Sequence, residues 1–307
     1  MTKNQLKIVF IGTPDFAVAS FKAILDAGFQ VVAAITAPDR PAGRGLKLQE
    51  SAVKKFAVEQ GISVLQPTNL KAPSFQEELA SYQADIQVVI AFRMLPEAVW
   101  SMPKYGTFNL HASLLPAYRG AAPINRAIMN GEKETGVSTF FLQHEIDTGN
   151  LVFSEKTTIG ESENAGELHD RLMNLGAGLV VKTLEAVREE SYPQVAQGSA
   201  ENVPNAPKIF KEDCQLNPSW NLEKLYNHIR GLCPYPGAFT QFREKQLKIF
   251  SAEKREKDPS KSAGDWEIIP KQELIWHCTD GALSITELQM EGKRRMKVEE
   301  YLRGLQS

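Results

Sequence analysis

The sequence predicts an α/β fold, a mostly parallel sheet flanked by helices, followed by a smaller β-barrel domain. Three observations lead there. Short β-branched apolar runs alternate with stretches of helical periodicity through the first part of the chain. Residues 191–207 carry Pro193, Pro204, Pro207, Gly198 and several small polar residues, and have no periodicity, so they read as a linker. Beyond them, strand-like runs succeed one another with only turn residues between. The 307 residues exceed what one average core needs. The expected division is therefore residues 1–190, a linker at 191–207, and a second domain at 208–307.

In order, Lys7–Gly12 reads as a buried strand ending in a turn. Residues 16–27 place Phe16, Ala19, Ala23 and Leu25 at roughly helical spacing, and Gly28 ends that helix. Residues 31–36 form the next strand, 49–60 a helix closed by Gly61, and 62–65 a strand. Residues 84–92 form a long apolar strand and Thr107–His111 another. This β-α-β order calls for a parallel sheet covered on both faces, where ligands bind beyond the carboxyl ends of strands. Residues 138–142 and Leu151–Thr158 are later strands with a turn at Asp147-Thr148-Gly149-Asn150 between them, and 168–187 is a long helix. In the second domain, a short helix at 222–230 precedes strands at 239–242, 247–250, 267–269, 273–278 and 283–288.

Composition excludes several classes. Hydrophobic residues at 42% and charged residues at 23% are the balance of a globular protein with a real core. The cysteines, Cys214, Cys233 and Cys278, lie far apart with no C-x-x-C pair, so neither a disulfide framework nor a zinc site is expected. The N-terminus is polar, and the apolar run at 8–11 is far too short for a signal peptide or membrane span. A cytoplasmic protein without a membrane partner is expected. From Lys208 onward there are 17 Lys and Arg against 15 Asp and Glu, a charge of +2; the preceding part has 18 against 22, or −4. A mildly basic second half is compatible with a phosphate-backbone partner and equally with none.

The first strand-turn-helix lacks a dinucleotide fingerprint. It reads Gly12-Thr13-Pro14-Asp15-Phe16, with one glycine and a proline that removes a backbone donor. The chemistry concentrates elsewhere. Asn109 and His111 stand two apart on a strand, so their side chains share a face near the strand's end. Asp147 lies in a turn-rich segment near the end of a later strand. Meeting at strand ends, the three would make an acyl-transfer site: Asn donates to an oxyanion, His shuttles a proton, and Asp fixes the imidazole's tautomer. Bland readings stand beside this one. His111 can be structural, Asn109 a turn-former, and Asp147-Thr148-Gly149 an ordinary β-turn. His144, His169, His228 and His277 have no ligand-like spacing and read as structural. The segment Pro38-Asp39-Arg40-Pro41-Ala42-Gly43-Arg44-Gly45-Leu46-Lys47 is a basic Pro/Gly-rich loop, either solvated or wrapped on nucleic acid.

Asn109-x-His111, then Ser113-Leu114-Leu115-Pro116-x-Tyr118-Arg119-Gly120-Ala121-Ala122-Pro123, then Asp147-Thr148-Gly149 resembles the signature of the folate-dependent formyltransferases in order and spacing. Gly12 to Ala17, Pro38 to Gly45, Ala206-Pro207-Lys208-Ile209 and Pro234 to Ala238 look like motifs of the branch that acts on tRNA, so the resemblance covers nearly the whole chain. It implies a Rossmann-like formyltransferase domain joined to an OB-like barrel that helps hold tRNA. It implies 10-formyltetrahydrofolate as co-substrate, initiator Met-tRNA as acceptor, no metal, and a monomer. Carried over by position, Asn109, His111 and Asp147 are catalytic. Arg93, Met94, Leu95, Ser113, Leu114, Leu115 and Pro116 hold the folate, and Arg40, Arg44 and Lys47 reach the tRNA. Two departures stand out. The segment Ala91-Phe92-Arg93-Met94-Leu95-Pro96 is one residue shorter than the usual pattern, and Leu216-Asn217-Pro218, with Trp220 following, replaces Ile-Asp-Trp. Sugar-amine formyltransferases would share the Asn-His-Asp set, and the basic loop is the discriminator. A non-catalytic RNA-binding protein is the reading from a different class.

Overall fold

The computed structural model describes residues 6–42, 47–145, 147–198 and 202–305. They divide into two compact units whose sequences interleave. The first comprises Met1–Arg119, Gly136–Thr157 and Asp170–Pro204; the second comprises Gly120–Thr135, Thr158–His169 and Asn205–Ser307.

The elements run β1 (Lys7–Gly12), α1 (Asp15–Asp26), β2 (Gln30–Ile35), β3 (Arg40–Ala42), β4 (Lys47–Gln49), α2 (Ala52–Glu59), β5 (Val64–Leu65), α3 (Pro73–Ser81), β6 (Ile86–Ile90), α4 (Glu97–Trp100), β7 (Thr107–His111), α5 (Pro123–Met129), β8 (Glu134–Phe141), β9 (Leu151–Thr158) and α6 (Ala165–Arg188). A seven-stranded sheet has the order β5-β2-β1-β6-β7-β8-β9. Its first four pairings, from β5 to β7, are parallel, and β8 is antiparallel to β7.

Strand alternation sorts the core. Val9 and Ile11 of β1 join a cluster with Phe75 and Leu79 of α3 and Val99 of α4. Phe10 points the other way and stacks on Phe21 of α1 at 4.4 Å, and Phe21 meets Phe56 of α2 edge-on at 5.2 Å. At the first turn a Cβ on Gly12 would lie 2.7 Å from the Ala17 Cβ and 2.9 Å from the Ile90 carbonyl, so only glycine lets strand and helix approach so closely.

Several boundaries move from their sequence expectations. The strand expected at 84–92 spans Ile86–Ile90, because Ala91 turns left-handed at φ +49°. The helix expected from 49 starts at Ala52; Lys47–Gln49 pairs with Arg40–Ala42 as a short hairpin instead. The Ser51 side chain caps that helix by accepting from the Lys54 N–H at 3.0 Å. The strand expected at 138–142 begins at Glu134, and α3, α4 and α5 add helices that periodicity did not reveal.

In the second unit, α7 (Leu222–Leu232) precedes β10 (Ala238–Phe242), β11 (Lys245–Arg255), β12 (Trp266–Ile269), β13 (Glu273–His277), β14 (Ala282–Met290), β15 (Met296–Lys297) and α8 (Val298–Gly304). The strands form an antiparallel sheet of order β10-β11-β14-β13-β12, with β15 on β14. The sheet curls until Phe242 of β10 meets Trp266 of β12 edge-on at 4.7 Å, and Trp266 stacks on the buried Trp276 at 5.4 Å. Barrel-like closure at this point is made by aromatic side chains.

Candidate active site

The site grows from β7. Asn109 is half-buried and His111 is buried, and as residues i and i+2 of one strand they present to the same face. Tertiary structure fixes the imidazole. Nε2 of His111 donates to the Tyr118 carbonyl at 2.8 Å. A carbonyl only accepts, so Nε2 carries the hydrogen and Nδ1 is the nitrogen left to exchange a proton. Nδ1 faces Asp147, whose Oδ2 lies 3.9 Å away, within ion-pair range and longer than a hydrogen bond. Both side chains are nearly withdrawn from solvent, at 9% and 14% exposed, so little water screens one from the other.

The route by which Asp147 arrives corrects the sequence expectation. Three residues meeting at strand ends would suit parallel strands. But β8 runs antiparallel, with Ser138 beside His111 and Phe141 beside Phe108, so its carboxyl end points away from the site. The return segment after Phe141, not the end of β8, carries Asp147 back. From the level of Phe108 to that of His111 is about 10 Å along a strand. Asp147 itself has left-handed backbone, φ +56°. A Cβ on Gly149 would fall 1.6 Å from the Phe141 carbonyl, so the turn lies directly on β8 and admits no side chain there.

The residues expected to hold folate are disposed unevenly. Met94 is 70% exposed beyond the carboxyl end of β6, the side of an open sheet on which ligands bind, while Leu95 is buried. The Arg93 guanidinium donates to the carbonyls of Thr68, at 3.1 Å, and Pro67, so it braces a neighbouring loop. Ser113 is fully buried and donates to the Ala117 carbonyl at 2.6 Å, shaping the loop from within. Ser138 of β8 donates to the Ser113 carbonyl at 2.8 Å and accepts from the Leu115 N–H at 3.3 Å. Leu115 is buried, and Leu114 and Pro116 are half-buried.

Arg40 lies on the β3–β4 hairpin, where it pairs with Gln49. The Lys47 backbone pairs with Ala42, and its side chain, like all of Arg44, falls outside the described residues. The hairpin's base is tied by Asp39, which accepts from Lys54 and, at 2.8 Å, from Gln66. The Lys54 hydrogen bond first, then that of Gln66, holds the Asp39 carboxyl below its ordinary range.

Sequence reasoning missed three contributors: the Tyr118 carbonyl, the Arg119 side chain and Gln197. Backbone carbonyls leave no sequence signal, and Gln197 sits in a stretch read as linker. Among the described residues, no group of three His, Cys, Asp or Glu stands together as metal ligands do, and no helix is long and apolar enough to cross a membrane.

A side-chain amide, an imidazole and a carboxylate beside a mostly parallel sheet are the groups an α/β enzyme of acyl-type transfer needs. The comparisons narrow it. The profile of the formyl transferase family matches residues 6–184, and that of the formyl transferase C-terminal domain matches residues 208–306. The chain belongs to the formyl transferase family. It is 46% identical over 312 residues to the methionyl-tRNA formyltransferase of Bacteroides thetaiotaomicron, covering 99% of this chain and 97% of the relative. Among solved structures, the fold is similar to the N-formyltransferase of Helicobacter canadensis in complex with folinic acid and dTDP-3-aminofucose, with TM-score 0.70 and 20% identity over 95% of this chain and 100% of that one. It is also similar to HypX from Aquifex aeolicus in complex with tetrahydrofolic acid, with TM-score 0.65 and 17% identity over 97% of this chain, which spans 47% of HypX.

Proposed function

We propose that this enzyme transfers the formyl group of 10-formyltetrahydrofolate to the free α-amino group of methionyl initiator tRNA. The observation that carries the reading is 46% identity, sustained across both parts of the chain, to methionyl-tRNA formyltransferases. The site chemistry supports it. The amino group attacks the formyl carbon, a C–N bond forms, and negative charge develops on the formyl oxygen. The Asn109 amide donates to that oxygen, and a proton on His111 Nδ1 adds positive charge nearby; each well-placed donor contributes on the order of 3 kcal/mol. Asp147 stabilises the imidazolium and takes up the proton lost by the amine. The oxyanion then collapses, the bond from carbon to N10 breaks, and N10 receives the proton that the amine lost, which regenerates the Asp147 carboxylate.

In this proposal Met94, Leu95 and the 113–116 loop hold the folate, with Ser113 contributing through backbone shape. Arg40, Arg44 and Lys47 reach the acceptor end, and residues 208–307 contact the rest of the tRNA. Catalysis falls to residues 1–190 and the joining segment to 191–207, a division supported by the spans of the two family profiles. The enzyme acts as a cytoplasmic monomer.

The test is a formylation assay on purified protein, comparing initiator Met-tRNA, elongator Met-tRNA and an amino-sugar nucleotide. Transfer to the initiator, with KM for tRNA rising steeply with salt, is expected. Transfer to the sugar alone would move the acceptor assignment. His111→Gln and Asp147→Asn are each expected to lower kcat about 10²–10³-fold with the fold intact.

A further inference from the structure

We infer that Gln197 and Arg119 form a clamp that sets the spacing of His111 and Asp147, making both positioning residues for the transfer. The inference rests on the catalytic reading of those two side chains. Residues 193–198 are exposed except Gln197, which is half-buried. Its side-chain Nε2 donates to the Asp147 carbonyl at 2.8 Å and the Gly149 carbonyl at 2.9 Å. Its Oε1 accepts from Arg119 Nε at 3.1 Å and Nη2 at 2.5 Å. The two amide hydrogens and both acceptor sites of the glutamine are thus engaged. Orientation is unambiguous, because a guanidinium only donates and must face the oxygen, which turns the NH2 toward the two carbonyls.

The contacts close a ring. His111 donates to the carbonyl of Tyr118; the next residue, Arg119, grips Gln197; Gln197 grips the backbone of Asp147; and Asp147 faces His111. Two left-handed residues lie on the ring, Tyr118 at φ +60° and Asp147 at φ +56°. Non-glycine residues in that conformation persist only where their surroundings hold them. The Tyr118 N–H is held by the Pro204 carbonyl at 2.6 Å. Gln197 itself is delivered by a two-way backbone bridge between Val195 and Leu151, at 2.8 and 2.9 Å.

The experiment measures kcat, both KM values and thermal unfolding for Q197A, Q197E, D147N and the double variant Q197A/D147N. Q197E keeps an oxygen for Arg119 and loses both donors to the carbonyls. Loosening Asp147 by about 1 Å is expected to lower kcat about 10²-fold in Q197A and Q197E, with KM changing less than about threefold. In the double variant, Q197A is expected to add little to the loss from D147N, because a residue that acts through Asp147 has nothing further to misplace. Parent kcat in Q197A while D147N is crippled would overturn the clamp and leave the catalytic reading standing. Multiplicative losses in the double variant would overturn it too, and so would a Q197E indistinguishable from the parent. Full activity in D147N would instead overturn the catalytic reading beneath it.

Discussion

Gly149→Ala asks how far the Asp147 turn can yield. The new methyl carbon would start 1.6 Å from the Phe141 oxygen, whereas real Cβ contacts are essentially never below 3.0 Å, so about 1.4 Å of separation must be created. Phe141 cannot supply it, being laddered to Phe108 in the sheet. The turn must therefore move, which pulls at the bond from the Phe141 N–H to the Asn150 carbonyl, 3.1 Å, and at both Gln197 contacts. Asp147, two residues away, moves with it, and its separation from His111 Nδ1 grows from 3.9 Å toward about 5 Å. With an effective dielectric near 20, that weakens the attraction between the carboxylate and an imidazolium, the form the proposed mechanism uses, by roughly 1 kcal/mol. A misplacement of about 1 Å costs on the order of 10²-fold in rate. Overpacking removes a further ~1–3 kcal/mol of stability. The assay is single-turnover formylation at saturating tRNA and donor, beside a thermal melt. A folded Gly149→Ala enzyme with the parent rate would refute the argument that this turn places the catalytic carboxylate.

Other consequences can be checked separately. Burial pushes the His228 imidazole below its ordinary value near 6.5, partly offset by its bond to the Asp213 carbonyl at 2.5 Å. The unfolded chain therefore binds a proton that the native one refuses, so stability should fall as pH drops below about 6.5, and His228→Gln should flatten that slope in pH-dependent denaturant titrations. Trp276→Ala empties a site stacked on Trp266 and should destabilise the second unit by about 3–5 kcal/mol, read by differential scanning calorimetry. Asp39→Asn loosens the base of the hairpin that carries Arg40. It should raise KM for Met-tRNA roughly tenfold, in keeping with losing a charge-assisted contact, while KM for folate stays put.

What could be read from sequence followed from periodicity and burial. β1, β7 and β9 match their expected spans, since apolar alternation and turn residues mark both ends. α4, four residues long, is too short to show a period, and α5 begins at Pro123, where a motif read for its chemistry ends. The polar opening of β8, Glu134-Thr135-Gly136, conceals a start four residues ahead of the expected 138. Strand direction is a tertiary property, so nothing in residues 134–141 announced that β8 runs against β7. Asn109 and His111 were legible as a pair because two-residue spacing fixes their common face. Their relation to Asp147 was not, because it involves contacts from Tyr118, Arg119 and, 50 residues beyond Asp147, Gln197. Among its described residues the 191–207 stretch is mostly exposed, as its composition predicts, yet single bridges at Val195 and Ala206 and the bond at Pro204 fasten it down. One-residue contacts leave no pattern to find.

The antiparallel course of β8 bears on the order in which this enzyme becomes competent. A nascent chain emerging from the ribosome up to residue 190 already holds all seven strands of the first sheet, together with Asn109, His111 and Asp147. It does not yet hold the residues that fasten the returning turn. If the Gln197 clamp acts as proposed, vectorial synthesis separates acquiring the sheet from acquiring the chemistry, and the few residues around Gln197 are the step between.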